Sequence, residues 1–330
     1  MEVLIQKKSA LLRMKILFLM MLSLIPQKAE AGHHSGFSSK KASFSVKFKD
    51  IVSCYKVISA YVLPGETLRV EAESEEEDPL FVLQAAAGAV EEVGTTHWEW
   101  KAPAETGVYP IEIRQIQSDQ SITLNIFVMI PFNQLKGEYI NGYHIGAYPS
   151  VPLRLLPNYQ RPKGFIEVTR DNEDTLVSPH YTLMQFLCKQ EGGYPKYMVL
   201  QEKLLLKLEL LLEKANEKGY QCDTFQVMSG YRTPYYNRSI GNVRYSCHLW
   251  GMATDIFIDE NPRDGVMDDL NHDGRINRAD AAILCNLVDE ICPEPIQASF
   301  LGGLGIYRAS TNHGPFVHVD VRGTLARWTD

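Results

Sequence analysis

From Phe44 to Ile130 apolar and polar side chains alternate: Phe44, Val46 and Phe48, then Leu68 and Val70, then Ile111 and Ile113, then Ile122, Leu124, Ile126 and Val128. A period of two puts every second side chain on one face, which predicts short strands packed as a β-sandwich over residues 32–130. Pro64-Gly65, Gly94 and Gly107 supply turns between them, and the acidic run Glu75 to Asp78 suits a solvated loop. Residues 131–162 lose the alternation and are rich in Pro, Gly and Tyr, notably from Gly137 to Gly146, as in a linker or an extended arm lying on a neighbouring domain. The period then changes. Leu200, Leu204, Leu208, Leu211, Leu212 and Ala215 share one helical face, and Gly219 stands where a helix-ending glycine is expected. Short β-like runs at Phe225–Met228 and Phe316–Val321 flank a polar segment, so residues 163–330 read as an α+β domain.

At the N-terminus, Lys7, Lys8, Arg13 and Lys15 precede the apolar run Ile16 to Ile25, which Pro26 closes. With Ala29-Glu30-Ala31 as a small-x-small cleavage site, residues 1–31 read as a signal peptide, and the expected destination is periplasmic or extracellular. Met14 is an alternative start. A membrane anchor is the competing reading, but the run falls short of the ~20 residues of a spanning helix, and no other stretch is apolar enough. The chain of 330 residues is 45% hydrophobic and 22% charged, which fits globular material long enough for two domains. A net charge of -7 argues against a nucleic-acid binder driven by phosphate neutralisation. Six cysteines, Cys54, Cys188, Cys222, Cys247, Cys285 and Cys292, allow up to three disulfides of unranked pairing. None forms a CxxC pair, which disfavours a thiolate zinc cluster or a thioredoxin-type site.

The chemistry-bearing segment is Ser246-Cys247-His248-Leu249-Trp250-Gly251-Met252-Ala253-Thr254-Asp255, with His318 far downstream on a β-like run. Two imidazoles and a carboxylate are ligand types that zinc prefers, and three of them leave a fourth tetrahedral position for water. Zinc there lowers the pKa of bound water towards ~7 and polarises a carbonyl, as amide hydrolysis at neutral pH requires. A His and an Asp seven residues apart are a weak signal by themselves.

The whole passage, however, resembles the D-Ala-D-Ala carboxypeptidase family of zinc peptidases, whose fold is shared with the hedgehog signalling domain. The family pattern Ser-x-His-x-x-Gly-x-Ala-x-Asp is met from Ser246 to Asp255. Ser229-Gly230-Tyr231-Arg232-Thr233-Pro234 with Asn237 matches upstream. Gly302 to Tyr307, Phe316 to Asp320 and Arg327-Trp328 match downstream, in the branch of the family often left as a domain of unknown function. The resemblance runs from about Ser178 to Trp328 and implies His248, Asp255 and His318 as zinc ligands. It places Arg232 where a guanidinium faces a substrate carboxylate or an oxyanion; the competing reading pairs it with a structural acid. The acid that the family often carries three residues before the last ligand is replaced by Pro315. Proton handling then falls to Asp320, which can serve as base or can orient the imidazole, or to His313. Upstream, Trp98 to Pro103 with Gly107-Val108-Tyr109 loosely resembles bacterial immunoglobulin-like modules.

Within the expected insertion 264–292 lies Asp269-Leu270-Asn271-His272-Asp273-Gly274-Arg275-Ile276-Asn277-Arg278-Ala279-Asp280. It has the pattern of an EF-hand-type calcium loop, with ligands expected from Asp269, Asn271, Asp273, Arg275, Asn277 and Asp280. Aspartate at the last position resembles dockerin-type loops, but a single copy argues against cohesin binding. A following helix is expected from Ala281 to Ile291, and the ion is expected to be structural. The combined expectation is an exported zinc peptidase acting on peptidoglycan stem peptides or cross-links. The alternatives are a zinc-containing wall-binding module without hydrolysis and a calcium-stiffened adhesion-type surface protein.

Overall fold

The alternating N-terminal segments form nine strands: β1 (Lys41–Phe48), β2 (Ile51–Tyr55), β3 (Val57–Val62), β4 (Thr67–Glu73), β5 (Phe81–Ala85), β6 (Ala89–Glu92), β7 (His97–Lys101), β8 (Gly107–Gln115) and β9 (Gln120–Val128). They are arranged as two sheets, in the orders β2-β1-β4-β7-β6 and β3-β9-β8-β5. Only β3 and β9 run parallel; the other neighbours are antiparallel. The predicted inward positions, Phe44 to Ile126, line a shared core together with Trp98 and Trp100. This computed structural model describes residues 36–291 and 300–330. The expected signal segment, Cys292 and the end of the insertion lie outside the described residues.

The 131–162 segment lies on a second core and buries Ile140, Tyr143, Ile145, Tyr148 and Tyr159 in it. The leucine stripe predicts its helix well: α1 spans Glu202–Glu217, with Leu204, Leu208, Leu211, Leu212 and Ala215 buried. Its remaining faces are used too. Leu206 packs into the sandwich core, Glu213 accepts from Lys41 and from the Tyr55 hydroxyl, and Glu202 accepts from Lys49. Phe37–Asp330 consequently form one compact unit.

Beyond α1, β10 (Gln226–Ser229), β11 (Ala253–Phe257), β12 (Gly303–Tyr307), β13 (Phe316–Asp320) and β14 (Ala326–Thr329) form a five-stranded sheet in the order β10-β11-β13-β12-β14. Buried Lys207 of α1 donates to the carbonyls of Phe300 and Asp320, which fixes this sheet against the helix. Two further α-helices stand among the described residues, α2 (Pro234–Ser239) and α3 (Arg278–Glu290). The fold of residues 163–330 is mixed α+β, with strands predominating. Among the described residues, no helix is long and apolar enough to cross a membrane, and Cys54, Cys188, Cys222, Cys247 and Cys285 are free thiols.

Glu209 of α1 is fully buried. It accepts from Ser178 Oγ at 2.6 Å, from His180 N at 2.9 Å and from His180 Nδ1 at 2.6 Å. His180 Nε2 meets the Ser38 carbonyl at 2.9 Å, so the network ties α1 to the start of the chain's described part. Removing one partner of such a buried cluster strands the others in low dielectric, and Glu209→Ala is expected to destabilise the protein by about 3 kcal/mol. Urea unfolding should show a lower midpoint, with the spectrum of the native state retained.

Candidate metal centre

Two local devices deliver His248. A single 3-10 turn, Cys247–Trp250, carries the imidazole, and Gly251 ends it in the left-handed region at φ 61°. A Cβ on Gly251 would also lie 2.2 Å from the Val199 carbonyl oxygen, so two backbones approach here as only glycine allows. The chain thereby reverses into β11, which carries Asp255. His318 arrives on β13, and the antiparallel register places Asp255 directly opposite it.

The cross-strand row continues as Ser229, Asp255, His318, Gly305 and Trp328, one residue from each strand of the sheet. The absence of a side chain at Gly305 lets the Trp328 indole lie over the strand, since a Cβ there would be 2.3 Å from the ring. The indole packs against His318 with ring centroids 5.1 Å apart and donates its N–H to the Tyr307 hydroxyl at 2.9 Å. Tyr307 in turn stacks on Phe316 at 4.5 Å.

His248, Asp255 and His318 are buried, and their donor atoms lie within 4.8 Å of one another. His318 Nδ1 is 2.9 Å from Asp255 Oδ1 and 3.2 Å from His248 Nε2, and His248 Nε2 is 3.3 Å from Asp255 Oδ1. Zinc ligands at about 2.0–2.1 Å in a tetrahedron stand about 3.3 Å from one another, so the separations fit that ion. The outer nitrogens fix the tautomers. His248 Nδ1 faces the Gly230 carbonyl at 2.6 Å, and His318 Nε2 faces Asp320 Oδ2 at 3.0 Å; a carbonyl and a carboxylate only accept. Two neutral imidazoles held this way aim lone pairs at the same point as the Asp255 carboxylate, an arrangement that a cation stabilises.

Electrostatics follow from the same contacts. Burial lowers the pKa of His248, with Asp255 opposing the shift. Burial alone would lower His318 as well, but the carboxylates of Asp255 and Asp320 on either side of the ring outweigh it and raise the imidazole. Burial would raise Asp255, yet the two imidazoles hold its carboxyl well below the usual range.

The other predicted residues sit at distinct places. Arg232 Nη2 donates to Asp255 Oδ2 at 2.5 Å, and its Nε donates to Ser229 Oγ at 2.8 Å, so the guanidinium braces the carboxylate of the donor set. Asp320 is fully buried and accepts from His318, from the Gly303 amide at 2.7 Å and from the Arg322 side chain. These partners hold its carboxyl far below the ordinary carboxylate value against the opposing effect of burial. His313 lines a cavity of about 280 Å³ with Met228, Val266 and Pro315. Its Nδ1 faces the Gly314 carbonyl at 2.8 Å, which leaves Nε2 as the lone-pair nitrogen.

In the predicted calcium loop, Asp269 accepts from the amides of Asp273 and Gly274, Asn271 from that of Asp273, and Asp273 from that of Arg275. Asn277 caps α3 and forms a capping box with Asp280, which also accepts from the Leu270 and Asn271 amides. Each of these side chains therefore has a hydrogen-bonding role within the loop itself.

Sequence reading does not single out Gly230, Gly303 or Arg322 for a role in holding the donors. A carbonyl acceptor leaves no residue-type signal, whereas an arginine two positions beyond an aspartate on a strand end is one that could be read. Asp320→Asn keeps the shape but removes the anionic acceptor of His318 Nε2–H; zinc affinity is expected to fall about 10–100-fold, measured by competition with a chromophoric chelator.

Comparison with known proteins bears on this region alone. Residues 169–275, about a third of the chain, match the model of the family Peptidase M15. The stretch includes Arg232, His248 and Asp255 and ends before His318. No curated protein and no solved structure matches the chain. Peptidases of the matched family are zinc-dependent, and the convergent His248, Asp255 and His318 group is one that can bind a metal.

Proposed function

We propose that this protein is an exported zinc peptidase that hydrolyses peptide bonds of peptidoglycan, as a D,D- or L,D-carboxypeptidase or endopeptidase. The observation that carries the reading is the convergence of three buried donors from one turn and two strands, each held from behind by a hydrogen-bond acceptor or an arginine. Bound zinc supplies Lewis acidity and a water of lowered pKa at that point. The protein's own groups do the rest.

Asp320 serves as the positioning residue for His318, because its oxygens are already engaged by an imidazole, an amide and a guanidinium. We assign His313, which lines a cavity and whose Nδ1 faces the Gly314 carbonyl, as the candidate proton acceptor through Nε2. Arg232 holds Asp255 and presents positive charge beside the donor set, where a developing oxyanion is favoured. The Tyr307 oxygen accepts from Trp328, which leaves its O–H available to a ligand. The signal segment supports export. The sandwich, read as immunoglobulin-like, serves as the platform on which α1 and the metal-bearing sheet are mounted. In the 269–280 loop we assign a structural calcium ion to Asp269, Asn271, Asp273, Arg275, Asn277 and Asp280, on the strength of the oxygen-bearing pattern.

Purified protein incubated with muropeptides is expected to release D-alanine or open cross-links, and a chelator is expected to stop it. His318→Ala should bind no stoichiometric zinc and show no cleavage; retained zinc-dependent cleavage in that variant would rule out this ligand set. Intact muropeptides beside a stoichiometric zinc content would instead favour the non-hydrolytic wall-binding reading. Calcium should raise the thermal midpoint of the wild type and leave that of Asp269→Ala unchanged; identical responses of the two would remove the calcium assignment.

A further inference from the structure

A second concavity, larger than the one beside His313, lies where the arm, the Lys189–Pro195 segment and α2 meet. Its volume is about 800 Å³, within the range of roughly 300–1,000 Å³ typical of small-ligand sites. One wall carries two stacked rings, His144 on Tyr235 with centroids 3.9 Å apart, and Tyr139 stacks on His144 at 4.3 Å from outside the lining. Tyr235 remains 37% exposed, so aromatic area that could have been buried is presented to solvent.

The wall is rigidly built. The Tyr235 amide donates to the Ile145 carbonyl at 3.0 Å, and His144 Nε2 contacts Glu138 at 3.1 Å. At Gly146, with φ 86°, a Cβ would lie 2.4 Å from the Tyr235 nitrogen, so the arm sits as close to α2 as a backbone can. Buried Gln190 locks the floor, donating to the His144 carbonyl at 3.0 Å and accepting from Thr233 Oγ1 at 2.6 Å.

Its chemistry selects a ligand class. The lining balances one cation, Lys189, against one anion, Glu191, and is otherwise tyrosines, amides, glycines, a serine, a proline and the stacked His144. That composition lacks the basic cluster a phosphate needs and is too polar for an acyl chain. Flat aromatic faces beside hydrogen-bonding groups suit a neutral ring that carries C–H groups on one face and hydroxyls at its edge, which describes a sugar. The location adds a second argument. Thr233, bound to the floor, adjoins Arg232 at the metal centre, and Lys189 lines both this cleft and the cavity of His313.

We infer that this cleft is a saccharide subsite that binds the N-acetylated amino-sugar strand of the wall polymer while its attached peptide reaches the metal centre. Sugar as ligand class rests on the cleft itself; the identity of the strand rests on the function proposed above. The site supplies affinity for the polymer without metal chemistry, so its occupancy is independent of zinc.

The test is calorimetric titration of the full chain with a soluble oligomer of N-acetylglucosamine, with and without chelator. Saturable binding that persists in chelator is expected, with Tyr235→Ala weakening it on the order of tenfold through loss of one aromatic wall. Gly193→Trp provides a second variant: Gly193 lines the cleft, has no left-handed backbone requirement, and a Cβ there meets nothing within 4 Å, so an indole can fill the space without displacing the chain. It is expected to abolish binding at an unchanged thermal midpoint. No saturable binding by the wild type, or wild-type affinity in both variants, overturns the subsite. Cleavage of free stem peptides by a protein that ignores the oligomer removes the subsite and leaves the proposed function. Oligomer binding by a protein that cleaves nothing does the reverse.

Discussion

The register between β11 and β13 is the constraint on which the centre depends. Setting Asp255 opposite His318 brings together a carboxylate and an imidazole from segments far apart in the chain, and it leaves His318 Nε2 facing Asp320 on its own strand. A slip of one residue would turn His318 and Asp320 to the opposite face of the sheet, because side chains alternate along a strand. Much of the surrounding structure serves to prevent that slip. Lys207 of α1 holds the Asp320 carbonyl, Gly303 and Arg322 hold its carboxylate, and Trp328 covers His318 from the edge strand through the gap left by Gly305.

Charge is distributed around the centre in alternating order: Arg232, Asp255, His318, Asp320, Arg322. Each acid is flanked by bases and each imidazole nitrogen has an assigned partner. This makes a largely buried polar cluster tolerable, since every member compensates the desolvation of its neighbour. It also separates tasks that a sequence reading leaves merged. The oxygens of Asp320 are engaged by His318, Gly303 and Arg322, while His313 stands outside that chain of contacts and lines a cavity.

The second core shows how the arm becomes part of the cleft wall. Ile140, Tyr143, Ile145 and Tyr148 anchor it, and the intervening polar and aromatic residues are then held against α2. Because α2 follows directly from the loop bearing Arg232, the arm-lined cleft and the metal centre share a support.

By itself the sequence determined the elements whose signal is local. Alternation marked β1, β4, β8 and β9, the leucine stripe marked α1, and the apolar run after Asp280 marked α3. Residue types and their resemblance to a family pattern singled out His248, Asp255 and His318, the three donors that the fold brings together. Tertiary structure decided what depends on neighbours distant in sequence. It set the parallel pairing of β3 with β9, the use of Leu206, Glu202 and Glu213 to join α1 to the sandwich, and the commitment of Arg232 to Asp255. It also set the acceptor at Gly230, which no side chain announces, and the ring stack of Tyr139, His144 and Tyr235. Periodicity reports which face of an element is buried, but not which other element buries it, and hydrogen bonds to main-chain groups carry no trace in residue type.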